Sequence, residues 1–278
     1  MLDPFILDEA IGHLLAEDIG RADLTSMLLL DAGLEARFAL VAREPMVVAG
    51  LDVAAAVFRR YDGTTAIETF AHDGTPVGRG SVLGRVSGRA RSILTAERLA
   101  LNLLQRMSGI ATETARYVAA IEGTGATLVD TRKTTPGLRM FEKHAVVCGG
   151  GRNHRLGLDD GVLIKDNHIA VCGGIAAAVA RARAGAPLLT KIEVECDRLD
   201  QVEEALAAGA DVIMLDNMDL ETMRSAVALA GGRVPLEASG GVRLDTIRPI
   251  AETGVDVISV GRITQSAAAV DIGLDAAD

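Results

Sequence analysis

Apolar residues in the second half of the chain come in short unbroken runs. They lie at Thr127-Leu-Val-Asp130, Val162-Leu-Ile164, Thr190-Lys-Ile-Glu-Val-Glu195, Asp211-Val-Ile-Met-Leu215, Val234-Pro-Leu-Glu237 and Asp256-Val-Ile-Ser-Val260. Runs of this kind, without polar alternation, predict strands covered on both faces. Helical stretches fill the intervals. Ile175–Ala184 stops at Gly185, and Leu199–Ala208 stops at Gly209. Leu220–Ala230 starts behind Asp219, a natural N-cap, and closes on Gly231-Gly232. Asp245–Thr253 ends at Gly254, and Pro249 predicts a late start or a kink there. Two segments repeat in form, Ala208-Gly-Ala-Asp-Val-Ile-Met-Leu215 and Thr253-Gly-Val-Asp-Val-Ile-Ser-Val260. Repeated βα units predict a parallel sheet, either doubly wound or curled into a barrel.

The first hundred residues lack that rhythm. Val41–Phe58 is apolar around Gly50, and Asp73-Gly74 marks a turn between short strands. From Ile93 to about Ala120 apolar residues recur near period 3.6, at Ala100, Leu104, Met107, Ala111, Ala115 and Val118. Ser108-Gly109 is expected to break this helix. A smaller α+β domain therefore leads through it into the parallel sheet.

Polar chemistry collects where each predicted strand stops. The ends carry Asp130-Thr-Arg132-Lys133, Lys165-Asp-Asn-His168, Glu193 and Glu195, Asp216-Asn217, Ser239-Gly240-Gly241, and Gly261 after Val260. In a parallel α/β barrel these ends meet at one face, where active sites lie. The last two glycine-bearing loops suit a phosphate held on backbone N–H groups.

Charge sharpens this picture. The formal net charge of −10 argues against a nucleic-acid or anionic-membrane partner. Yet residues 131–168 hold seven Lys/Arg against four acids, and residues 193–221 hold ten acids and only Arg198. A cationic stretch inside an acidic chain predicts a pocket for a small anion; a solvated basic face is the plainer alternative. The longest uncharged apolar stretch, Ile169–Ala180, is too short to span a bilayer. The start has no basic leader, and three cysteines without a CxxC suit a reduced, cytoplasmic setting.

Thr131-Arg-Lys-Thr-Thr-Pro-Gly-Leu-Arg139 is the strongest local motif. Arg132 can grip a carboxylate bidentately and Lys133 can act as a point charge. Cys148-Gly-Gly-Gly-Arg-Asn-His-Arg155 lacks nucleotide-loop spacing, so its glycines read equally well as a flexible turn. His154 reads as a structural residue rather than a metal ligand, since no zinc spacing supports it. Lys165 can bind an anion or, if desolvated, form a Schiff base. Glu195 and Asp216 can hold ribose hydroxyls, bind magnesium or favour a developing cation, or one of them can simply pair with Lys165 or Lys191.

In that order, the motifs resemble the quinolinate phosphoribosyltransferase family, the carboxylating nicotinate-nucleotide pyrophosphorylases. The similarity runs from Glu17-Asp-Ile-Gly-Arg-Ala-Asp-Leu-Thr25 and Ala96-Glu-Arg-Leu-Ala-Leu-Asn102 through Ser108-Gly-Ile-Ala-Thr112 and the Thr131–Arg139 motif. It continues through Asn153-His-Arg-Leu-Gly-Leu158, Leu163-Ile-Lys-Asp-Asn-His168, Glu193-Val-Glu195, Leu215-Asp-Asn217, Glu237-Ala-Ser-Gly-Gly241 and Ser259-Val-Gly261. The resemblance implies an incomplete parallel α/β barrel over residues 109–265. It adds an α/β sandwich domain over 1–108, joined by 266–278. It further implies a homodimer that makes nicotinate mononucleotide from quinolinate and 5-phosphoribosyl 1-diphosphate, with magnesium held mainly by the substrate's phosphates. Arg98, Thr131, Arg132, Lys133, His154, Arg155 and Lys165 would bind substrate, with Arg98 reaching the neighbouring subunit's site. Lys133, Lys165, Glu195 and Asp216 would be catalytic, the last two at the ribose. Ser239, Gly240, Gly241, Val260 and Gly261 would hold the 5′-phosphate. His144, Val147, Arg262 and Gln265 depart from the family pattern. A paralogue associated with molybdenum utilisation, a Schiff-base aldolase and a non-catalytic phosphate sensor are the competing readings.

Overall fold

The computed structural model describes residues 2–277. In chain order the elements begin with α1 (Pro4–Ile19), α2 (Leu24–Leu29), β1 (Glu35–Ala42), β2 (Met46–Val47), α3 (Leu51–Tyr61), β3 (Ala66–Thr69), β4 (Pro76–Val77), β5 (Val82–Arg89) and α4 (Ala90–Ala120). There follow β6 (Thr127–Val129), α5 (Arg139–Cys148), β7 (Val162–Ile164), α6 (Asp166–Cys172), α7 (Ile175–Gly185), β8 (Ile192–Cys196) and α8 (Leu199–Ala208). The chain ends with β9 (Val212–Asp216), α9 (Leu220–Ala230), β10 (Leu236–Ser239), α10 (Ile247–Ala251), β11 (Val257–Ser259), α11 (Arg262–Gln265) and β12 (Ile272–Ala276).

Two compact units emerge. One comprises residues 1–115, 135–150 and 266–278, the other residues 116–134 and 151–265. The first holds an antiparallel sheet in the order β12-β1-β5-β3 and a two-stranded β2-β4 ribbon. Phe38 faces Ala276 and Ala42 faces Ile272, so the C-terminal strand closes one edge of β1.

An ion pair explains why α5 belongs to this unit. Glu142 is fully buried, and its Oε1 accepts from Nε and Nη2 of Arg106 at 3.2 and 2.9 Å. Its Oε2 accepts the amide of Thr135 at 3.1 Å, while Arg106 Nη1 donates to the carbonyl of Ala267 at 2.7 Å. One guanidinium thus ties α4, α5 and the C-terminal segment. The expected break at Ser108-Gly109 does not occur, because α4 is continuous from Ala90 to Ala120. A Cβ at Gly109 would collide with the carbonyl of Ala268. The glycine serves close approach rather than interruption, despite a helix cost of about 1 kcal/mol relative to Ala.

The second unit carries six parallel strands in the order β6-β11-β10-β9-β8-β7. That order follows the chain cyclically, with β6 and β7 left at the open edges. A doubly wound sheet would reverse direction at a switch point; this one is an incomplete barrel. At the free edge of β6, Arg152 bridges Val129, with Arg152 N–H donating to Leu128 O at 2.9 Å and Asp130 N–H to Arg152 O at 3.1 Å. The sequence repeat has a mechanical meaning. Asp211 Oδ2 accepts the first amide of β8, from Ile192, and Asp256 Oδ2 accepts the first amide of β10, from Leu236, each at 2.8 Å. Gly209 and Gly254 turn the chain into these aspartates at φ 79° and 95°. Asp219 caps α9 through the amide of Thr222 at 2.8 Å. Helix α10 starts late, at Ile247, as Pro249 requires. Helix α6, which follows Lys165 directly, has no counterpart in the sequence expectation.

No helix among the described residues is long and apolar enough to cross a membrane.

Removing Glu142 would strand the Arg106 guanidinium among three chain segments. Glu142→Ala is expected to lower unfolding free energy by about 3–5 kcal/mol in denaturant titrations. A loss below about 1 kcal/mol would show that water compensates the cation.

Candidate active site

A cavity of about 550 Å³ opens at the C-terminal ends of the parallel strands. All six strands or the loops that follow them contribute to its wall. Thr131, Arg132 and Lys133 follow β6, Lys165 follows β7, and Glu195 comes from β8. Asp216 and Asn217 come from the end of β9, Ser239, Gly240 and Gly241 from the end of β10, and Ser259 from β11. His154 and Arg155 complete it from the loop before β7. The sequence-derived cationic segment and the acidic strand ends therefore share one cavity.

Local bonds set each group. Asp130 is fully buried at the end of β6. Its Oδ1 accepts the amide of His154 at 2.8 Å and its Oδ2 accepts Nδ2 of Asn153 at 2.7 Å. The Thr131 hydroxyl accepts the amide of Lys133 at 3.0 Å, and the Lys133 carbonyl accepts Oγ1 of Thr264 at 2.7 Å. Both ends of the Thr131–Lys133 turn are thus fastened. Lys165 pairs with Glu195, so the pairing alternative raised for that acid is realised. Asp216 Oδ2 accepts Nδ2 of Asn217 at 2.7 Å. Asn217 adopts φ 54°, and a Cβ on Gly240 would strike its side-chain oxygen. Gly240 therefore lets the β9 and β10 loops pass closely.

The cations are underpaired. The Nε of Arg132 is buried without a hydrogen-bond partner. Arg155 gives one bond to Gly161 O at 3.1 Å, and burial followed by the nearby Arg132 charge depresses its affinity for its proton. Two guanidiniums held close in a shared cavity, with Lys133 exposed beside them, form a site suited to an anion.

His154, expected to bind substrate, meets two acids to which the sequence reading gave no role in the site. His154 Nε2 is 3.0 Å from Glu193 Oε2 and 3.3 Å from Glu237 Oε2. Both acids are buried, with Oε1 of each lacking a partner. Burial followed by the Glu237 charge raises Glu193 above the usual carboxylate range, against the lowering bond from His154. The amide of Arg155 fixes where the ring carries its proton. It donates to His154 Nδ1 at 2.8 Å, making that nitrogen an acceptor and leaving the ring a single N–H, on Nε2. The cluster's additional proton is therefore held on the carboxyl side, where burial beside Glu237 raises Glu193. Glu237 opens the Glu237–Gly241 motif in the sequence, and period-two alternation with Ser239 along β10 puts it on the cavity face.

Other expected residues lie elsewhere. Arg98 is an exposed residue of α4 in the first unit, outside the lining of this cavity. Val260 is buried, and its amide donates to Val129 O at 3.0 Å within the strand ladder. Gly261 is also outside the lining; a Cβ there would lie 2.7 Å from Lys133 Cδ. His144 Nε2 lies 2.9 Å from Asp73 Oδ2 in the first unit, whose Oδ1 accepts the amides of Gly50 and Leu51 at the start of α3. Val147, Arg262 and Gln265 are exposed. The Cys148 loop is packed rather than free, since a Cβ on Gly149 would meet Ala111 O.

Family models agree in order along the chain. Residues 23–108 match the N-terminal domain of quinolinate phosphoribosyl transferase, and residues 110–275 match its C-terminal domain. A probable carboxylating nicotinate-nucleotide pyrophosphorylase of Bacillus subtilis is 43% identical over 270 residues, covering 97% of this chain and 93% of that protein. The carboxylating enzyme named from Mycobacterium leprae is 44% identical over 273 residues, covering 96% of each. The solved nicotinate-nucleotide pyrophosphorylase of Francisella tularensis superposes with a TM-score of 0.95 at 42% identity, covering 100% of this chain and 98% of that one. On both domain models and on relatives aligned almost end to end, the chain belongs to the quinolinate phosphoribosyl transferase family.

Proposed function

We propose that this protein transfers the phosphoribosyl group of 5-phosphoribosyl 1-diphosphate to quinolinate, with loss of CO₂, giving nicotinate mononucleotide for NAD synthesis. The observation that carries the reading is the cavity's arrangement. Arg132, Lys133 and Arg155 stand beside Glu195 and Asp216 at one set of strand ends. A pyridine dicarboxylate needs fixed cations, and an anomeric carbon gaining positive charge needs carboxylates opposite.

In this reading the pyridine nitrogen attacks the anomeric carbon as diphosphate departs with the bonding pair. Arg132 and Arg155 hold the acceptor's carboxylates, while Lys133 and Lys165 meet phosphate oxygens. Glu195 and Asp216 favour the developing charge and accept ribose hydroxyls. Ser239, Gly240 and Gly241, with Val260 and Gly261 behind them, form the 5′-phosphate end. We place magnesium on the phosphates of the incoming substrate. The His154–Glu193–Glu237 group includes a nitrogen and is already engaged in its own hydrogen bonds, a poor match for an ion that prefers oxygen cages. The ring nitrogen becomes a pyridinium, an electron sink for decarboxylation, so no pyridoxal or thiamine group is needed. The half-buried thiol of Cys148 and the buried thiol of Cys196 are each pushed up to about 12 by burial, and with Cys172 all three are free. Such thiols suit structure rather than nucleophilic catalysis and fit a reducing compartment such as the cytoplasm.

Purified protein supplied with quinolinate, phosphoribosyl diphosphate and magnesium should release CO₂ and nicotinate mononucleotide. Nicotinate offered in place of quinolinate should give none. Turnover with neither acceptor would turn the reading towards a paralogue with another acceptor.

Substitutions should separate binding from chemistry. Arg132→Ala should raise the quinolinate KM by about tenfold or more, corresponding to a charge-assisted bond of about 1.5–3 kcal/mol. Glu195→Gln should instead depress kcat by about 100-fold with a small change in KM. Unchanged kinetics in steady-state assays would remove either residue from its role.

We further propose a homodimer in which Arg98 of each subunit serves the other's site. Its exposure on α4, away from its own subunit's cavity lining, supports the assignment. Arg98→Ala and Glu195→Gln proteins, each impaired alone, should regain activity when unfolded and refolded together. Mixtures no more active than their components would place Arg98 outside the site.

A further inference from the structure

The phosphoribosyl transfer proposed above leaves one demand unmet. When the carboxylate beside the ring nitrogen leaves as CO₂, its bonding pair stays on the ring carbon. That carbon must then take up a proton, one per turnover. Lys133, Lys165, Arg132 and Arg155 are needed as cations to hold anions, and Glu195 and Asp216 as carboxylates. None is free to supply it.

The carboxyl pair under the cations is suited to do so. Glu237 lines the cavity, is 2% exposed, and presents an Oε1 without a partner. Its Oε2 faces His154 at 3.3 Å, and ligand-type atoms of His154, Glu193 and Glu237 lie within 4.8 Å of one another. The Arg155 amide at Nδ1 keeps His154 to one N–H, which both carboxyls face. Two buried carboxylates sharing one neutral imidazole would repel each other in a low dielectric, so one proton stays between them. A dianionic acceptor makes the requirement stricter, because a carboxylate lining its pocket would oppose its binding. The proton that permits the acceptor to bind would then sit in the cavity wall that Glu237 lines.

We propose that Glu237 donates to the ring carbon vacated by CO₂ the one proton that it shares with Glu193. The inference rests on the reaction class given above. In the step, the ring carbon–carboxylate bond breaks and CO₂ leaves without the pair. The pair, held beside the cationic nitrogen, takes the proton from the Glu237 carboxyl. Glu237 is left as a carboxylate beside that of Glu193, and solvent returns the one shared proton to the cluster after product leaves. No oxidant, reductant or further co-reactant enters.

The test is Glu237→Gln, which keeps shape and burial but has no acidic proton, followed by rapid acid quench with quinolinate, phosphoribosyl diphosphate and magnesium. Loss of a general acid should lower kcat by about 100-fold or more. The KM of both substrates should stay within about threefold, since binding contacts are untouched. Diphosphate should appear ahead of CO₂ and nicotinate mononucleotide, with quinolinate mononucleotide recovered from the quenched mixture. A carbanion without a proton recaptures CO₂, and the carboxylated intermediate accumulates. Glu193→Gln should show the same lag in milder form, and it carries the test if thermal unfolding shows Glu237→Gln to be misfolded. Diphosphate and CO₂ released in step by the folded variant, at whatever rate, would overturn the proton-donor role while leaving the phosphoribosyl transfer standing. Absence of turnover in the unaltered protein would instead remove the transfer reading itself, and this inference with it.

Discussion

The open end of the parallel sheet hangs on one buried carboxylate. Asp130 ends β6 with no exposure to solvent, and its two oxygens reach the His154 amide and the Asn153 side chain. Its own amide donates to Arg152. These bonds draw the loop before β7 against the free edge of β6, where a closed barrel would have a further strand. Two cation-bearing segments, Thr131–Lys133 and His154–Arg155, are thereby set side by side although a full helix and a loop separate them in sequence. Without that tie the edge of β6 would expose unpaired amides, and the two guanidiniums would have little reason to stay within each other's repulsive field.

Charge placement then follows from which partners are near. The chain is acidic overall, yet the cavity concentrates Arg132, Lys133 and Arg155 on one side. Lys165 is neutralised by Glu195, whereas the Nε of Arg132 has no partner. Such a site binds anions because its guanidiniums are already stripped of part of their water and fixed by neighbouring backbone. The opposing acids are graded by depth. Glu195 and Asp216, near the strand mouths, are partly exposed; Glu193 and Glu237, deeper on β8 and β10, are buried. Alternation along the strands makes this grading automatic, since residues two apart point the same way at successive depths.

That geometry also explains what could be read from the chain. Gly209, Gly254 and Asp219 act through local backbone chemistry, so their roles follow from sequence. The strand-end acids and cations were legible because parallel strands share one functional face. Other features depend on distant partners. Gly109 looks like a helix breaker until Ala268, more than 150 positions on, is seen against it. Helix α5 follows β6 in sequence but joins the first unit because Glu142 meets Arg106. Glu237 sits in a run that reads as a buried strand, where a carboxyl has no visible partner until His154 is brought beneath it. Nothing in the short run after Lys165 marked α6, which begins within a motif read for its chemistry.

The buried acids sharpen the relation between stability and chemistry. Burying two carboxyls next to one imidazole is unfavourable compared with apolar side chains of similar volume, and their unpaired oxygens add to the cost. Apolar residues are accommodated at that level of the barrel, since Met214, in register with Glu237 across β9 and β10, is buried and lines the same cavity. Structural need alone therefore gives no reason for acids at Glu193 and Glu237. A site that must take up a dianion and return a carbon–hydrogen bond does give one. It needs an acid neutral enough to admit the anion and strong enough to release its proton once the carbanion forms. Burial secures the first property, and hydrogen bonding to His154 supports the second by stabilising the carboxylate left behind.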